Sequence, residues 1–303
     1  NIKEFLERSN LAIKNKKKDE TLLTHQNKFL RSRLLLRLIQ QLSRLLSVFE
    51  FKNDIFFKEN IPFIIINDLY FKIDHIFHLK KTGVPHLTEV QNTIFFLRKY
   101  NINPDLVIDL GACWGEYSLF LAKEYPQCKI FCIEGAKQNF QILKSNLEIN
   151  FITSKFVNPF NLIISDKNGE AEIMNEINTM NTVKTNNKNI KANYCSVMSK
   201  TISTFCIENS IKKIDFLKID IEGSELKLLN CLLNLPIKSM QIELIKDNPL
   251  DENIEFLKKL SYKYQFYNFT SHIRENVDDL VKNLEIHFKN KATIDLFLIN
   301  HEN

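Results

Sequence analysis

Two carboxylates flank a glycine turn in the middle of the chain. The sequence LVIDLGACWGEYSLFLAK covers residues 106–123, and its apolar run ends at Asp109. Gly111 and Gly115 follow, and Glu116 comes directly after them. Glycine turns of this kind usually bind a ligand at the N-terminus of the next helix, where backbone amides carry a partial positive charge. Because this turn holds carboxylates and no Lys or Arg, it suits a neutral or cationic ligand better than a phosphate.

The glycine spacing separates this turn from dinucleotide-binding sequences. Those follow G-x-G-x-x-G, in which backbone amides receive a pyrophosphate, whereas residues 111–115 read GACWG. The missing third glycine and the acidic turn argue against a nicotinamide-dependent oxidoreductase. S-adenosylmethionine has a sulfonium, an amino group and no phosphate, so it fits this turn better than a dinucleotide does. The alternative is a glycine turn that binds no ligand. The candidate cofactor-binding residues are Asp109, Gly111, Ala112, Gly115, Tyr117, Ser118 and Glu134.

Glu134 is the candidate ribose ligand. The sequence IFCIEGAKQNF (130–140) puts it at the end of the next predicted strand, some twenty residues after the turn. A carboxylate at that position can accept hydrogen bonds from both ribose hydroxyls, as in dinucleotide-binding folds.

A second group of charged residues alternates along two predicted strands. In DFLKIDIEGSELKLL (215–229), Lys218 and Asp220 interrupt an apolar strand, and MQIEL carries Gln241 and Glu243 in a matching alternation. Buried charges are costly unless they are paired, and residues two apart share a face. We therefore expect these side chains to lie together at the carboxyl ends of the strands. The alternative is a Lys–carboxylate network that only fixes the strand pair.

For transfer to a hydroxyl group, the chemistry that the family resemblance given below implies, a base must remove the proton. The candidate catalytic residues are Lys218, Asp220, Glu222 and Glu243. Asp220 or Glu243 is the expected base, and Lys218 holds the carboxylates or stabilises the developing oxyanion. In a variant of this mechanism, Asp220 and Glu243 hold a Mg²⁺ ion, which prefers oxygen ligands.

Three further residues near these segments have secondary roles in the prediction. His86 precedes the main domain and could reach the mouth of the pocket. Ser224 and Glu225 are expected to cap the following helix.

Alternating strand and helix patterns after residue 81 predict an α/β fold with a doubly wound, mostly parallel sheet. Several strands are continuously apolar, as expected for parallel strands covered on both faces. Predicted strands are Leu106–Leu110, Ile130–Ile133, Lys155–Val157, Asp215–Asp220, Met240–Leu244, Tyr264–Asn268 and Ile294–Ile299. Predicted helices are Leu87–Tyr100, Gly115–Glu124, Lys137–Asn150, Ser224–Cys231 and Asp251–Leu260. In the insert between the third and fourth strands, residues 161–174 predict a hairpin that turns at Asn168–Gly169.

The residues before position 81 predict a separate extension. Residues 22–49 read as one helix with leucines on one face and arginines on the other. This helix is expected to pack on its own domain or on a second copy in a homodimer, or to lie on a membrane surface. Short β-rich pieces follow between residues 55 and 73. We therefore expect an N-terminal extension over residues 1–80 and a main domain over residues 81–303.

Composition limits the class of protein and its partners. The chain has 303 residues, a net charge of +5 and 44% hydrophobic residues, which is ordinary for a globular protein. No basic run indicates nucleic acid, and no window is apolar enough to span a membrane. The six cysteines are scattered without a C-x-x-C pair, which favours a reduced cytoplasmic protein over a disulfide scaffold or a zinc site. The inner face of a membrane is the other expected location.

Four segments carry a resemblance to a known family. VIDLGACWGEYSL, CIEGAKQNFQILKSNLEIN, NLIISDKNGEAEI and DFLKIDIEGSELKLL resemble, in order and spacing, the FkbM-type family of S-adenosylmethionine-dependent methyltransferases. The similarity covers residues 87–260, and KIDIEGSE is its most specific part. Cys113–Trp114 departs from the family, which commonly has Asn followed by a smaller apolar residue there.

The resemblance implies a class I methyltransferase fold, Rossmann-like, with a seven-stranded sheet whose last strand is antiparallel. It implies S-adenosylmethionine as cofactor and methyl transfer to an oxygen of a small-molecule, sugar or glycan acceptor. It also implies roles for single residues: Asp109, Gly111 and Gly115 in the cofactor turn, Glu134 on the ribose, and Asp220 and Glu222 as active-site acids. The alternative is a non-catalytic module of the same fold that recruits a partner or a membrane through residues 22–49.

Overall fold

The computed structural model describes residues 55–58, 61–72, 87–152, 155–175 and 193–302. The chain divides into two compact units, residues 1–84 and 85–303. The amphipathic helix expected over residues 22–49 and the candidate pocket residue His86 lie outside the described residues.

The first unit contains an antiparallel three-stranded sheet of β1 (Ile55–Lys58), β2 (Ile61–Ile66) and β3 (Leu69–Lys72) in chain order. Ile66 pairs with Leu69 across a two-residue turn. Asn67 and Asp68 in that turn have φ values of 48° and 61°, which the tightest hairpin turns require and which Asn and Asp tolerate. The short strands predicted between residues 55 and 73 are therefore confirmed.

The second unit is built on an eight-stranded sheet in the order β13-β12-β14-β11-β10-β4-β5-β6. Its strands are β4 (Leu106–Leu110), β5 (Lys129–Ile133), β6 (Val157–Phe160), β10 (Ile214–Ile219), β11 (Ile237–Ile245), β12 (Tyr264–Asn268), β13 (Arg274–Glu275) and β14 (Thr293–Asn300). Strands β6, β5, β4, β10 and β11 are parallel, and β14 runs antiparallel to both of its neighbours. The mostly parallel sheet is confirmed, but the prediction of seven strands was wrong. The eighth strand, β13, has two residues, too few to show any periodicity.

The helices of this unit follow the predicted pattern with two additions. They are α1 (Leu87–Lys99), α2 (Glu116–Glu124), α3 (Lys137–Ile149), α4 (Ile202–Glu208), α5 (Leu229–Asn234), α6 (Leu250–Ser261) and α7 (Val277–Asn290). The sequence did not predict α4 or α7. The helix predicted at Ser224–Cys231 is instead a 3₁₀ turn, Glu225–Leu228, followed by the short α5. The third strand begins at Val157, where the prediction ended it.

The predicted hairpin over residues 161–174 was wrong. Its two halves are β7 (Ile163–Ile164) and β8 (Gly169–Met174), but they do not pair with each other. A later strand, β9 (Tyr194–Lys200), lies between them, parallel to β7 and antiparallel to β8. The apolar side chains of Ile163, Ile173 and Val197 pack together in this small sheet, and burying them together stabilises the three-stranded arrangement.

A stack of aromatic rings fixes α1 on the sheet. The ring of Phe96 lies 4.5 Å from that of Phe297 on β14 and 6.0 Å from that of Phe269, within the range of favourable ring pairs. All three side chains are buried. This packing holds Thr93, one turn earlier on α1, against the strands that carry the polar residues. Within the described residues, no helix has the length and apolar character needed to cross a membrane.

The glycine turn after β4 touches the loop after β10 so closely that no side chain fits between them. Gly111 has a φ of 75°, and a Cβ added there would overlap the carbonyl oxygen of Asp220. We predict that Gly111→Ala destabilises the protein by at least about 3 kcal/mol, because it combines left-handed strain with a backbone clash. Gly169→Ala is the control: its φ is 144°, and a Cβ there would meet nothing within 4 Å. Urea unfolding of both variants measures the difference, and equal losses would contradict the close approach.

Candidate functional site

The turn after β4 is folded back onto the end of β5. The backbone N–H groups of Gly111 and Ala112 both donate to the carbonyl oxygen of Ile133, each at 3.0 Å. Gly111, Cys113 and Gly115 have φ values of 75°, 47° and 89°, in the left-handed region that glycine adopts most readily. A Cβ at Gly115 would lie 2.5 Å from Leu143 Cδ1 on α3. The two glycines thus permit the tight turn and the close approach of α3.

Glu134 follows β5 and links that strand to the turn. Its Oε2 accepts a hydrogen bond from Cys113 N at 2.9 Å, and its Oε1 accepts one from Ala136 N at 2.7 Å. The residue is 6% exposed. Burial raises the pKa of Glu134 to about 7, and the two backbone donors limit that rise. Each oxygen keeps a lone pair, so the carboxylate can still accept hydrogen bonds from a ligand.

A cavity that is partly open to solvent lies beside Glu134. Gly135 belongs to its lining, and a Cβ there would overlap Ile163 and lie 2.8 Å from Ile173. The small β7–β9–β8 sheet therefore supplies an apolar wall. Seven of the eleven candidate site residues line the cavity: Gly111, Ala112, Tyr117, Glu134, Lys218, Asp220 and Glu222.

The other four candidates, Asp109, Gly115, Ser118 and Glu243, are not part of that lining. Asp109 is fully buried, and its Oδ2 accepts a hydrogen bond from Ser118 Oγ at 2.7 Å. This bond ties β4 to α2 beneath the turn. In this structure, the two residues thus hold the turn in shape.

Lys218 lies between the turn and the loop after β10. Its ammonium donates to Asp220 Oδ2 at 3.0 Å and to the carbonyl oxygen of Gly111 at 3.3 Å. It also lies 3.9 Å from Asp109 Oδ1 and 4.9 Å from the centre of the Tyr117 ring. Burial lowers the pKa of Lys218, but the Asp220 and Asp109 carboxylates outweigh burial and raise it above its ordinary value. The side chain therefore stays charged.

The strand register brings three carboxylates into one row. Lys218 pairs with Gln241, so Asp220 and Glu243 follow two residues further along parallel strands and on the same face. Glu243 in turn pairs directly with Asp295 on β14. Burial raises the pKa of Glu243 to about 9, and the carboxylates of Asp220 and Asp295 add to the rise. Glu243 is therefore protonated near neutral pH.

Asp295 is a residue that the sequence reading missed. It interrupts the apolar strand TIDLFLIN (293–300). The same signal, a charge inside a buried strand, drew attention to Lys218 and Asp220, so it could have identified Asp295 as well.

Gln241 joins two helices to the sheet next to the lysine. Its Oε1 accepts hydrogen bonds from Thr93 Oγ1 at 2.7 Å and from Tyr117 Oη at 2.9 Å. All three side chains are buried. Tyr117 is therefore anchored at its hydroxyl, while its ring faces the Lys218 ammonium. Such a buried, satisfied network holds its side chains in one arrangement.

The structure bears on the predicted cap at Ser224 and on the predicted Mg²⁺ site. Ser224 makes no side-chain capping hydrogen bond and lines the cavity instead, because its backbone, at φ −105° and ψ 7°, lacks the extended conformation of a helix cap. The prediction that Ser224 caps the helix was therefore wrong. For the Mg²⁺ ion proposed between Asp220 and Glu243, no group of three or more potential ligands converges anywhere in the described ranges.

The polar residues of the cavity fit the cofactor that the sequence resemblance implies. Four carboxylates line it (Glu116, Glu134, Asp220 and Glu222) against one ammonium, Lys218. This balance of charge disfavours a phosphate and favours a ligand with a positive centre. Glu134 offers two acceptor oxygens beside the apolar wall, which suits a ribose joined to a flat base.

Comparisons with known proteins identify the family. The family described as "Methyltransferase FkbM domain" matches residues 109–280. "Methyltransferase 1" of Beauveria bassiana is 24% identical over 164 residues, covering 47% of this chain and 66% of that protein. The FkbM methyltransferase structure from Methylobacillus flagellatus is 16% identical, with a TM-score of 0.40, over 64% of this chain and 44% of that chain. The M. jannaschii TYW2 structure, solved in complex with AdoMet, is 11% identical, with a TM-score of 0.39, over 81% of this chain and 87% of that chain. The chain thus spans less than two thirds of the length of the Beauveria bassiana protein and of the Methylobacillus flagellatus protein.

The Lys218 ammonium yields a prediction about stability. In Lys218→Met, the buried Asp109 carboxylate and the half-buried Asp220 carboxylate lose their shared cation, and we expect a loss of about 3–5 kcal/mol in the free energy of unfolding. The control is Lys213→Met, which removes a lysine whose side chain is 58% exposed and lies 3.2 Å from Asp215. That variant should lose less than about 1 kcal/mol. Urea unfolding compares the two, and a Lys218→Met loss no larger than the control's would contradict the role given to this lysine.

Proposed function

Because the chain belongs to the FkbM methyltransferase domain family, we propose that it transfers a methyl group from S-adenosylmethionine to a hydroxyl oxygen of a sugar, glycan or natural product. The observation that carries this proposal is that Glu134, Lys218 and Asp220 line one cavity. Glu134 offers acceptors for a ribose, and Asp220 offers a base held by a cation. When bound, S-adenosylmethionine supplies a methyl group already activated by a sulfonium.

The part of the cavity around Glu134 binds S-adenosylmethionine and orients it. Glu134 accepts hydrogen bonds from the ribose hydroxyls. The hydrogen bonds that it accepts from Cys113 N and Ala136 N keep its carboxylate in place. The apolar side chains of Ile163 and Ile173 cover the adenine of the cofactor and exclude water from it. Since methyl transfer is an in-line displacement, much of the protein's contribution is alignment of the two reactants.

Asp220 is the better base of the two candidates. It borders the cavity, and the Lys218 ammonium 3.0 Å away favours its ionised form. Glu243 has a pKa raised to about 9 by burial and neighbouring carboxylates, so near neutral pH it carries a proton and cannot accept another. In the proposed mechanism, Asp220 takes the proton from the acceptor hydroxyl, and Lys218 stabilises the charge that develops on the oxygen.

The charges around Asp220 also select the acceptor. Burial raises the pKa of Glu243, and the nearby carboxylates of Asp220, Asp295 and Glu222 each add to that rise. Lys218 is the single cation among the residues that line the cavity. An acceptor that carries phosphate, sulfate or carboxylate groups would meet repulsion here. The proposal therefore favours uncharged, hydroxyl-rich acceptors.

Cofactor binding can be tested without knowledge of the acceptor. We predict that Glu134→Ala weakens the binding of S-adenosylmethionine by about a hundredfold, because two hydrogen bonds from the ribose are lost. Asp220→Asn should bind within about threefold of the wild type, since it keeps the shape of the side chain. Glu148→Ala, which removes an exposed carboxylate on α3, controls for loss of charge. Titration calorimetry measures all four proteins, and undiminished affinity in Glu134→Ala would remove the ribose assignment.

The acceptor class can be tested with methyl-labelled S-adenosylmethionine. We expect label in neutral glycans and polyhydroxylated small molecules and little in their phosphorylated or carboxylated counterparts, because of the carboxylates near Asp220. Asp220→Asn should lower the transfer rate by about a hundredfold or more, the typical contribution of a general base. Preferential labelling of anionic acceptors, or of nitrogen rather than oxygen, would contradict the proposal.

A further inference from the structure

The loop after β10 carries two of the acids that line the cavity, and its backbone is unusual. Asp220 and Glu222 lie on either side of Ile221, and all three border the cavity. Glu222 has a φ of 54° and Gly223 a φ of 96°. A left-handed conformation at a non-glycine residue costs energy and persists only where surrounding contacts hold it. Something must therefore hold Glu222 in this conformation.

The contact that holds this loop is a buried carboxylate. Glu225 Oε1 accepts hydrogen bonds from Ile221 N at 3.0 Å and from Gly223 N at 3.1 Å. Those two amides lie immediately before and after Glu222. One oxygen atom thus fixes the backbone on both sides of the strained residue. Glu225 itself is fully buried and is not part of the cavity lining.

The other end of the loop is held by β4. Asp220 N donates to the carbonyl oxygen of Leu110 at 3.2 Å, and Gly111 packs against the Asp220 carbonyl. Beneath the loop, a Cβ at Gly223 would lie 2.7 Å from Ile245 Cδ1. The loop is therefore held at its start by β4, from below by β11 and around Glu222 by the Glu225 carboxylate, which we call the clamp.

This arrangement goes beyond a helix cap. The 3₁₀ turn that begins at Glu225 makes its own backbone bond from Lys227 N to Ser224 O. The Glu225 carboxylate instead reaches back to amides that precede the turn. Its protonation state is not decisive for this contact, because a neutral amide oxygen in the same position can accept the same two bonds. Burial raises the pKa of Glu225 to about 7, and the backbone donors oppose the rise.

We propose that Glu225 is a positioning residue that fixes Asp220 and Glu222 at the cavity through the backbone amides of Ile221 and Gly223. The role in methyl transfer rests on the proposed function, whereas the clamp itself does not. Glu225 touches neither the cavity nor the reacting groups, so it acts only through the loop.

Two variants of Glu225 separate the clamp from simple filling of space. Glu225→Gln keeps a side-chain oxygen that can accept both amide bonds, and Glu225→Met has a similar size and no such acceptor. Hydrogen exchange, followed by NMR, reads the Ile221 and Gly223 amides individually. In Glu225→Met we expect both amides to exchange at least about tenfold faster than in the wild type, because each loses its acceptor. In Glu225→Gln the exchange should stay within about threefold, and the amides of β10 should be unaffected in both.

Three results would overturn the proposal. They are unchanged exchange at Ile221 and Gly223 in Glu225→Met, equal acceleration in both variants, and acceleration spread evenly over β10 and β11, which marks general destabilisation. If Glu225→Met does not fold, a pH titration of the wild type replaces it. The chemical shifts of the Ile221 and Gly223 amide protons should then change together as Glu225 titrates. Chemical shifts that do not change with pH would contradict the proposed contact with Glu225.

Calorimetry on the same proteins keeps this result distinct from the proposed function. Glu225→Met should bind S-adenosylmethionine about tenfold more weakly, because its loop forms one side of the cavity, and Glu225→Gln should bind like the wild type. A wild-type protein that does not bind S-adenosylmethionine would contradict the proposed function, while the exchange comparison would still decide the clamp.

Discussion

The ammonium group of Lys218 constrains both halves of the site. A charge removed from water is costly unless opposite charges and acceptors surround it. Here β10 carries the lysine to a point where the Asp220 carboxylate and the Gly111 carbonyl both accept its hydrogens. The glycine turn and the acid-bearing loop must therefore stay at fixed distances from the same nitrogen. Their backbones meet where Gly111 touches the Asp220 carbonyl.

The register of the parallel strands turns this local contact into a site with two sides. Asp109, Lys218 and Gln241 lie next to one another on β4, β10 and β11. Two residues further along lie Gly111 and Asp220, each directly after its strand, and Glu243, which is still within β11. The cavity extends from this edge past the turn to Glu134 and the apolar β7–β9–β8 sheet. One cavity thus brings together the Asp220 carboxylate, the Lys218 ammonium and the Glu134 carboxylate.

The sequence predicted most of the central sheet because its strands are apolar runs bounded by turn residues. Strand β4 begins and ends where the sequence placed it, and the unexpected Lys218–Asp220 alternation correctly indicated neighbouring strands with matching charges. Long-range pairing was less accessible. Strand β9 begins at Tyr194, after β8 has ended at Met174, and lies between β7 and β8. Local spacing instead favoured a hairpin of β7 and β8, which does not form.

Side-chain partners were the least predictable feature of the site. The sequence grouped Asp109 and Ser118 with the cofactor-binding residues, but nothing in it indicates that they bond to each other. It assigned Glu225 to a helix cap, because only the folded loop shows which amides its carboxylate reaches. Asp295 approaches Glu243 through antiparallel pairing of β14 with β11, a contact that requires the order of the strands. These outcomes depend on tertiary geometry that local patterns do not encode.

Occupancy of the cavity beside Lys218 is tested most directly by a crystal structure grown with S-adenosylhomocysteine, the product that remains after methyl transfer. The predicted result is density with the ribose on the Glu134 carboxylate and the sulfur on the side of Lys218 and Asp220. Density for the compound at another surface, with this cavity empty, would contradict the assignment of the cavity. So would a pyrophosphate-containing nucleotide that binds on the 111–115 turn in its place.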